Sequence, residues 1–98
     1  MVLVFAPTKY RVVWDIAEFF AGSEVAYWPE PSGLPGRLRE IAARTGTGVP
    51  FVDVTDALRD QAAAGVPVYH RADSHWNEAG YETASGVVVG ALRPLLER

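Results

Sequence analysis

Apolar residues along this chain fall into two patterns, short unbroken runs and spaced repeats, and the two alternate. Val2-Leu3-Val4-Phe5-Ala6 is an unbroken run rich in β-branched side chains, ended by Pro7. Such a run reads as a strand over 2–6, of the kind buried on both faces in a parallel sheet. Val12 to Phe20 is apolar and aromatic and reads as a short helix. Ala21 to Gly36 carries Pro29, Pro31, Gly33, Pro35 and Gly36, the composition of a loop. Leu34, Leu38, Ile41 and Ala42 then recur at helical spacing, which predicts a helix over 35–45 with Gly46 as its C-cap. Phe51-Val52-Asp53-Val54 is a second short strand. Thr55 suits an N-cap and Asp56 a first helical turn, so a helix follows over 56–64, closed by Gly65. Val66 to Tyr69 reads as extended. Asn77 is placed to cap a last long helix over 78–96. Its apolar face would be Ala84, Val87, Val88, Ala91, Leu92 and Leu95, with Pro94 kinking or thinning the last turn. Gly86 and Gly90, four residues apart, suggest close helix packing.

Strands alternating with helices imply an α/β fold, a parallel sheet with helices on its faces. Two strands are few for a complete doubly wound sheet, and the chain opens inside one of them. Both features point to a truncated sheet. Residues 1–98 are therefore expected to form one segment of a larger domain, with an unpaired sheet edge beside 2–6 open to the missing half or to self-association.

At 98 residues the chain suffices for one small domain and not two. Hydrophobic residues at 49% and charged residues at 21% give the balance of an ordinary globular protein. Net charge is −3 and the nine Lys and Arg residues are scattered, so no basic stripe suits a nucleic acid. Cysteine is absent, which removes disulfides, thiol catalysis and thiolate metal sites. The opening run lacks a basic flank and is too short for a signal peptide or a membrane span. No cofactor motif is present.

Candidate chemistry concentrates in Val68-Tyr69-His70-Arg71-Ala72-Asp73-Ser74-His75-Trp76-Asn77, between an extended segment and a helix start. A carboxylate two residues from an imidazole can accept a hydrogen bond from one ring nitrogen, fixing the tautomer and leaving the other nitrogen as a general base. A polar loop, or a cap beside a solvated histidine, carries the same residues, so the spacing alone leaves both readings open. His70, Asp73 and His75 also offer two imidazoles and a carboxylate within six residues, a possible metal set without an evident fourth ligand. Trp76 reads equally as the wall of a pocket or as packing for the last helix. Lys9 lies where α/β sheets bind ligands and reads as a site residue or as a solvated lysine. Tyr27, Trp14 and Trp28 read as core or as a sugar-binding surface, the latter fitting a non-catalytic carbohydrate-binding module.

Asp73-Ser74-His75-Trp76-Asn77, followed by Gly80 and an apolar terminal helix, resembles the last block of the SGNH/GDSL hydrolases. The opening run with Pro7-Thr8-Lys9-Tyr10 resembles the penultimate strand and following loop of that family, and Phe51 to Thr55 with Leu58 its last strand and helix start. The Asp-x-His spacing is similar to the alginate O-acetylation branch. Many relatives place the acid three residues before the base, but position 72 is Ala72. The resemblance implies a three-layer α/β/α, flavodoxin-like fold and hydrolysis or transfer of acyl esters, O-acetyl esters among them. It implies a Ser-His-Asp triad in which His75 is the general base and Asp73 its orienting carboxylate. It also implies an acyl-ester substrate, leaving the acyl group and the alcohol open with carbohydrate among the candidates, and it leans to the cell envelope or outside the cell without fixing the compartment. The family's Gly-Asp-Ser motif does not occur in this chain. Ala72-Asp73-Ser74 imitates it, but Ser74 directly precedes His75 and the two side chains should diverge. Ser23, Ser32 and Ser85 have no supporting context. The expectation is thus the C-terminal portion of an SGNH-type esterase, or of a polysaccharide O-acetyltransferase of the same fold, holding the acid and base without the nucleophile, whose block precedes this region in most of the family and follows it in the alginate-acetylation branch.

Overall fold

The computed structural model describes residues 2–16, 30–46, 48–71 and 73–96. The elements run β1 (Leu3–Phe5), α1 (Lys9–Val13), α2 (Leu34–Arg44), β2 (Phe51–Asp53), α3 (Thr55–Ala63) and α4 (Glu78–Leu96). β1 and β2 pair in parallel, with Leu3 opposite Phe51, Val4 opposite Val52 and Phe5 opposite Asp53. This is the α/β arrangement that the alternating pattern predicts. Leu58, Val12, Val54 and Val68 are the largest fully buried side chains, joined in the core by Val52, Tyr69 and Ala84. Val87, Val88 and Ala91 of α4 pack against them, much of the face expected from helical spacing.

Four local expectations are corrected. The first helix begins at Lys9, not Val12, because the Thr8 hydroxyl accepts a hydrogen bond from Arg11 N at 3.2 Å and caps it. The expected positions 17–20, the loop over 21–29, Ser23, Tyr27 and Trp28 lie outside the described residues. Thr55 is the first residue of α3 rather than its cap. The N-cap position is Val54, and the carboxylate of Asp53 before it accepts from Thr55 N at 2.9 Å and from the Thr55 hydroxyl. β1 is not buried on both faces: Leu3 is 45% and Val4 43% exposed, since among the described residues only one strand lies beside it. Gly86 and Gly90 sit in open space with nothing within 4 Å of a built Cβ, so neither marks a close helix contact. α4 runs through Pro94 to Leu96.

Two ties absent from the sequence reading hold the layers together. Arg59 of α3 donates to both carboxylate oxygens of Asp15, at 2.7 and 2.8 Å. The same guanidinium reaches the carbonyls of Arg11 at 3.3 Å and Val12 at 3.2 Å, so one side chain satisfies orphan carbonyls of α1 and docks it on α3. The buried Tyr69 hydroxyl donates to Pro7 O at 2.9 Å, joining the end of β1 to the segment before α4. Burial holds the Tyr69 hydroxyl above its ordinary pKa and keeps it a donor.

Candidate functional site

Tyr69 and Trp76 stand at the two ends of a loop. Tyr69 and Trp76 make an antiparallel bridge at its base, and His70 N donates to His75 O at 3.0 Å. Asn77 fixes the exit. Its side-chain oxygen accepts from Gly80 N at 2.9 Å, the N-cap function expected of it. Its amide also donates to Pro67 O at 2.9 Å, and its backbone N–H donates to Val68 O at 3.1 Å. Helix start and incoming segment are therefore bolted to each other, and the loop between them has two fixed ends.

Asp73 and His75 meet within that loop. Asp73 Oδ1 accepts from the His75 backbone N–H at 2.8 Å and lies 3.3 Å from His75 Nδ1. The His75 backbone N–H does most to hold the Asp73 carboxyl below its ordinary pKa; partial desolvation opposes it and the imidazole adds to it. With Nδ1 engaged by a carboxylate, Nε2 is the nitrogen left for a proton transfer. The His75 side chain is 80% exposed, so that nitrogen is accessible.

His75 lines a shallow cleft of about 200 Å³ together with Ala6, Pro7, Tyr69, Ser74 and Trp76. Ala6 and Pro7 directly follow β1, so the cleft opens at the carboxyl end of the strand, where α/β sheets bind ligands. Trp76 lines the cleft and packs edge-on against Tyr81 of α4, ring centroids 5.4 Å apart and planes at 89°. Lys9, which the sequence left between site and solvent, donates from Nζ to the loop carbonyls of His70 and Asp73 at 2.8 and 3.1 Å.

The other candidates do not assemble. Among the described residues, no group of three or more His, Asp or Glu side chains is gathered to hold a metal ion, so His70, Asp73 and His75 do not form the alternative ligand set. Ser74 reaches the cleft wall, but no hydrogen bond joins it to His75 among the described residues. No helix among them is long and apolar enough to cross a membrane.

The depressed carboxyls of Asp73 and Asp15 set an acid limb of stability. Asp15 is lowered chiefly by its hydrogen bond from Arg59. Each carboxylate binds its proton less readily folded than unfolded, where the value is about 3.9. Their contribution is therefore fully present above about pH 4 and is lost as pH falls through the lower folded values. Melting temperature should hold flat in this respect from pH 7 to about 4 and then fall. Asp15→Asn should lower the neutral-pH plateau and make the acid fall shallower. An unchanged acid limb in Asp15→Asn and Asp73→Asn alike would contradict this assignment.

A family model described as an SGNH hydrolase-like domain of the acetyltransferase AlgX matches residues 1–97. No curated protein and no solved structure matches the chain.

Proposed function

The chain belongs to the SGNH hydrolase-like domain family of acetyltransferase AlgX, and on that premise we propose that it supplies the acid and base of a Ser-His-Asp triad working on O-acyl esters. The observation that carries this reading is the Asp73 carboxylate 3.3 Å from His75 Nδ1, beside an open cleft at the end of β1. In the proposed step, Nε2 of His75 takes the proton of an attacking serine hydroxyl as its oxygen bonds to the ester carbonyl carbon. The imidazolium then returns the proton to the departing alkoxide, leaving an acyl-serine. Asp73 stays ionised throughout, holds the proton on Nδ1 and stabilises the imidazolium. The acyl group passes next to water, giving hydrolysis, or to another hydroxyl, giving transfer. The family description names an acetyltransferase, which favours acetyl transfer; in this proposal a polysaccharide hydroxyl is the acceptor and Trp76 the sugar-facing wall.

The nucleophile comes, in this proposal, from a segment of the same domain outside residues 1–98, and further strands continue the sheet beside β1. Support lies on both faces of β1. An apolar hollow of about 470 Å³ separates Val4 and Phe5 from Leu38, Ile41 and Ala42 of α2. A second, of about 280 Å³, separates Val4 and Trp76 from Val88 and Val89 of α4. A further strand along the edge of β1 would cover both hollows and pair the outward backbone groups of Val4.

Acetyl-ester turnover tests the proposal. The 98-residue chain alone should form no acyl-enzyme. Joined to the serine-bearing portion of its domain it should show a burst and steady turnover. Equal turnover by the chain alone would contradict the proposal, since no Gly-Asp-Ser segment lies within it.

A further inference from the structure

We propose that Lys9 is a positioning residue for the Asp73–His75 pair, a role that rests on the acid–base reading of that pair. The loop carrying the pair turns the carbonyls of His70, Arg71 and Asp73 toward one point. Lys9 Nζ occupies it, at 2.8, 3.5 and 3.1 Å from the three oxygens. Converging carbonyl dipoles repel one another unless a donor lies between them. An ammonium offers three N–H donors and no acceptor, the complement of three carbonyls. Bonds from a charged donor are also about twice as strong as neutral ones.

Among the described residues, few other contacts restrain the middle of this loop. The side chains of Asp73 and His75 are 54% and 80% exposed, so packing does not fix them. The closure at the base, His70 N to His75 O, holds the ends of the loop but not the peptide between Asp73 and Ser74. That peptide sets where Asp73 Oδ1 falls relative to His75, and its carbonyl, Asp73 O, is the one Lys9 holds at 3.1 Å. Lys9 itself is anchored. It is the first residue of α1, whose cap is Thr8, and Tyr69 pins neighbouring Pro7. The ammonium thus transmits the position of the β1–α1 corner to the carboxylate. It touches neither the imidazole nor the cleft.

The readout is the tautomer of neutral His75, followed by long-range ¹H–¹⁵N spectra of the whole chain. In the native chain the proton should favour Nδ1, facing Asp73. Lys9→Met should lower the ratio of Nδ1–H to Nε2–H by about 3- to 10-fold, the equilibrium effect of losing one ordinary hydrogen bond. Lys9→Arg, which keeps charge and donors, should restore part of the ratio. If Lys9→Met does not fold, Lys9→Gln carries the test and should give a ratio below that of Lys9→Arg. A ratio unchanged in the folded variant, even with a lower melting temperature, would show a structural tie only and overturn the inference. Asp73→Asn separates the two readings. If it leaves the native ratio unchanged, the Asp73–His75 pair itself fails. If it collapses the ratio while the Lys9 variants do not, only the role of Lys9 fails.

Discussion

Gly80→Ala should cost about 3 kcal/mol or more and lower the melting temperature by roughly 12–24 °C. A Cβ built on Gly80 would lie 2.1 Å from the backbone oxygen of Val68 and 3.0 Å from Trp76 Cβ. The obstacle is main chain, and it cannot rotate away. Val68 is 2% exposed in the core, and its carbonyl already accepts from Asn77 N at 3.1 Å. To admit a methyl group, α4 must lift from segment 67–69, stretching the Asn77 bonds to Pro67 O and Val68 O together. Those bonds fix the exit of the loop bearing Asp73 and His75, so the damage should reach the site. Against a domain stability of about 5–15 kcal/mol this is a large fraction. Gly86→Ala is the internal contrast. Nothing lies within 4 Å of a Cβ there, and in mid-helix the same change should stabilise by up to about 1 kcal/mol. Thermal melts of the two variants should move in opposite directions. A Gly80→Ala protein melting within a few degrees of the parent would refute the close approach.

That contact shows where the sequence is informative and where it is silent. Both strands, their parallel pairing and helices α2, α3 and α4 follow from runs and repeats, because periodicity records which side of an element meets the core. The Asp73–His75 pair was legible for a different reason: the spacing alone left a polar loop with a solvated histidine open, and the resemblance of the Asp-x-His-Trp-Asn block singled the two out. Gly80 was visible only as part of a resemblance, since the need for glycine comes from a carbonyl twelve positions earlier in the chain. The sequence marked Lys9 only as a site residue or a solvated lysine, and its contacts were hidden in the same way. Its partners are backbone oxygens 61 to 64 residues away, and backbone carbonyls carry no side-chain signature. The start of α1 was misplaced because a polar cap, Thr8, outweighs the apolar pattern that begins at Val12. At α3 the competing signal was one residue type against another, Thr55 as cap against Asp53 reaching forward to it.

His75→Ala should remove nearly all acyl transfer, and Asp73→Asn should come close to it. In the proposed step the imidazole accepts the serine proton, and without it the hydroxyl stays a poor nucleophile at neutral pH. Losses on the order of 10⁴-fold or more in kcat are typical when a member of such a triad is removed. Asp73→Asn is the subtler change. An asparagine oxygen can still accept from the His75 backbone N–H, now at 2.8 Å from Asp73 Oδ1, so the loop should survive. What it loses is the negative charge facing Nδ1, and with it the preference for the tautomer that leaves Nε2 free. The rate should therefore fall while the fold and the binding of ester hold, a drop in kcat with KM little changed. Trp76→Ala, which removes one wall of the cleft, should instead raise KM.

The most direct measurement is kcat/KM for a simple acetyl ester, taken on the domain in which, as proposed, this chain is joined to a serine-bearing portion, for the parent protein and for His75→Ala. If Asp73 and His75 are acid and base, the substitution lowers kcat/KM by about a thousandfold or more while the melting curve is preserved. A His75→Ala protein that is folded and turns over the ester within a few-fold of the parent would contradict the assignment.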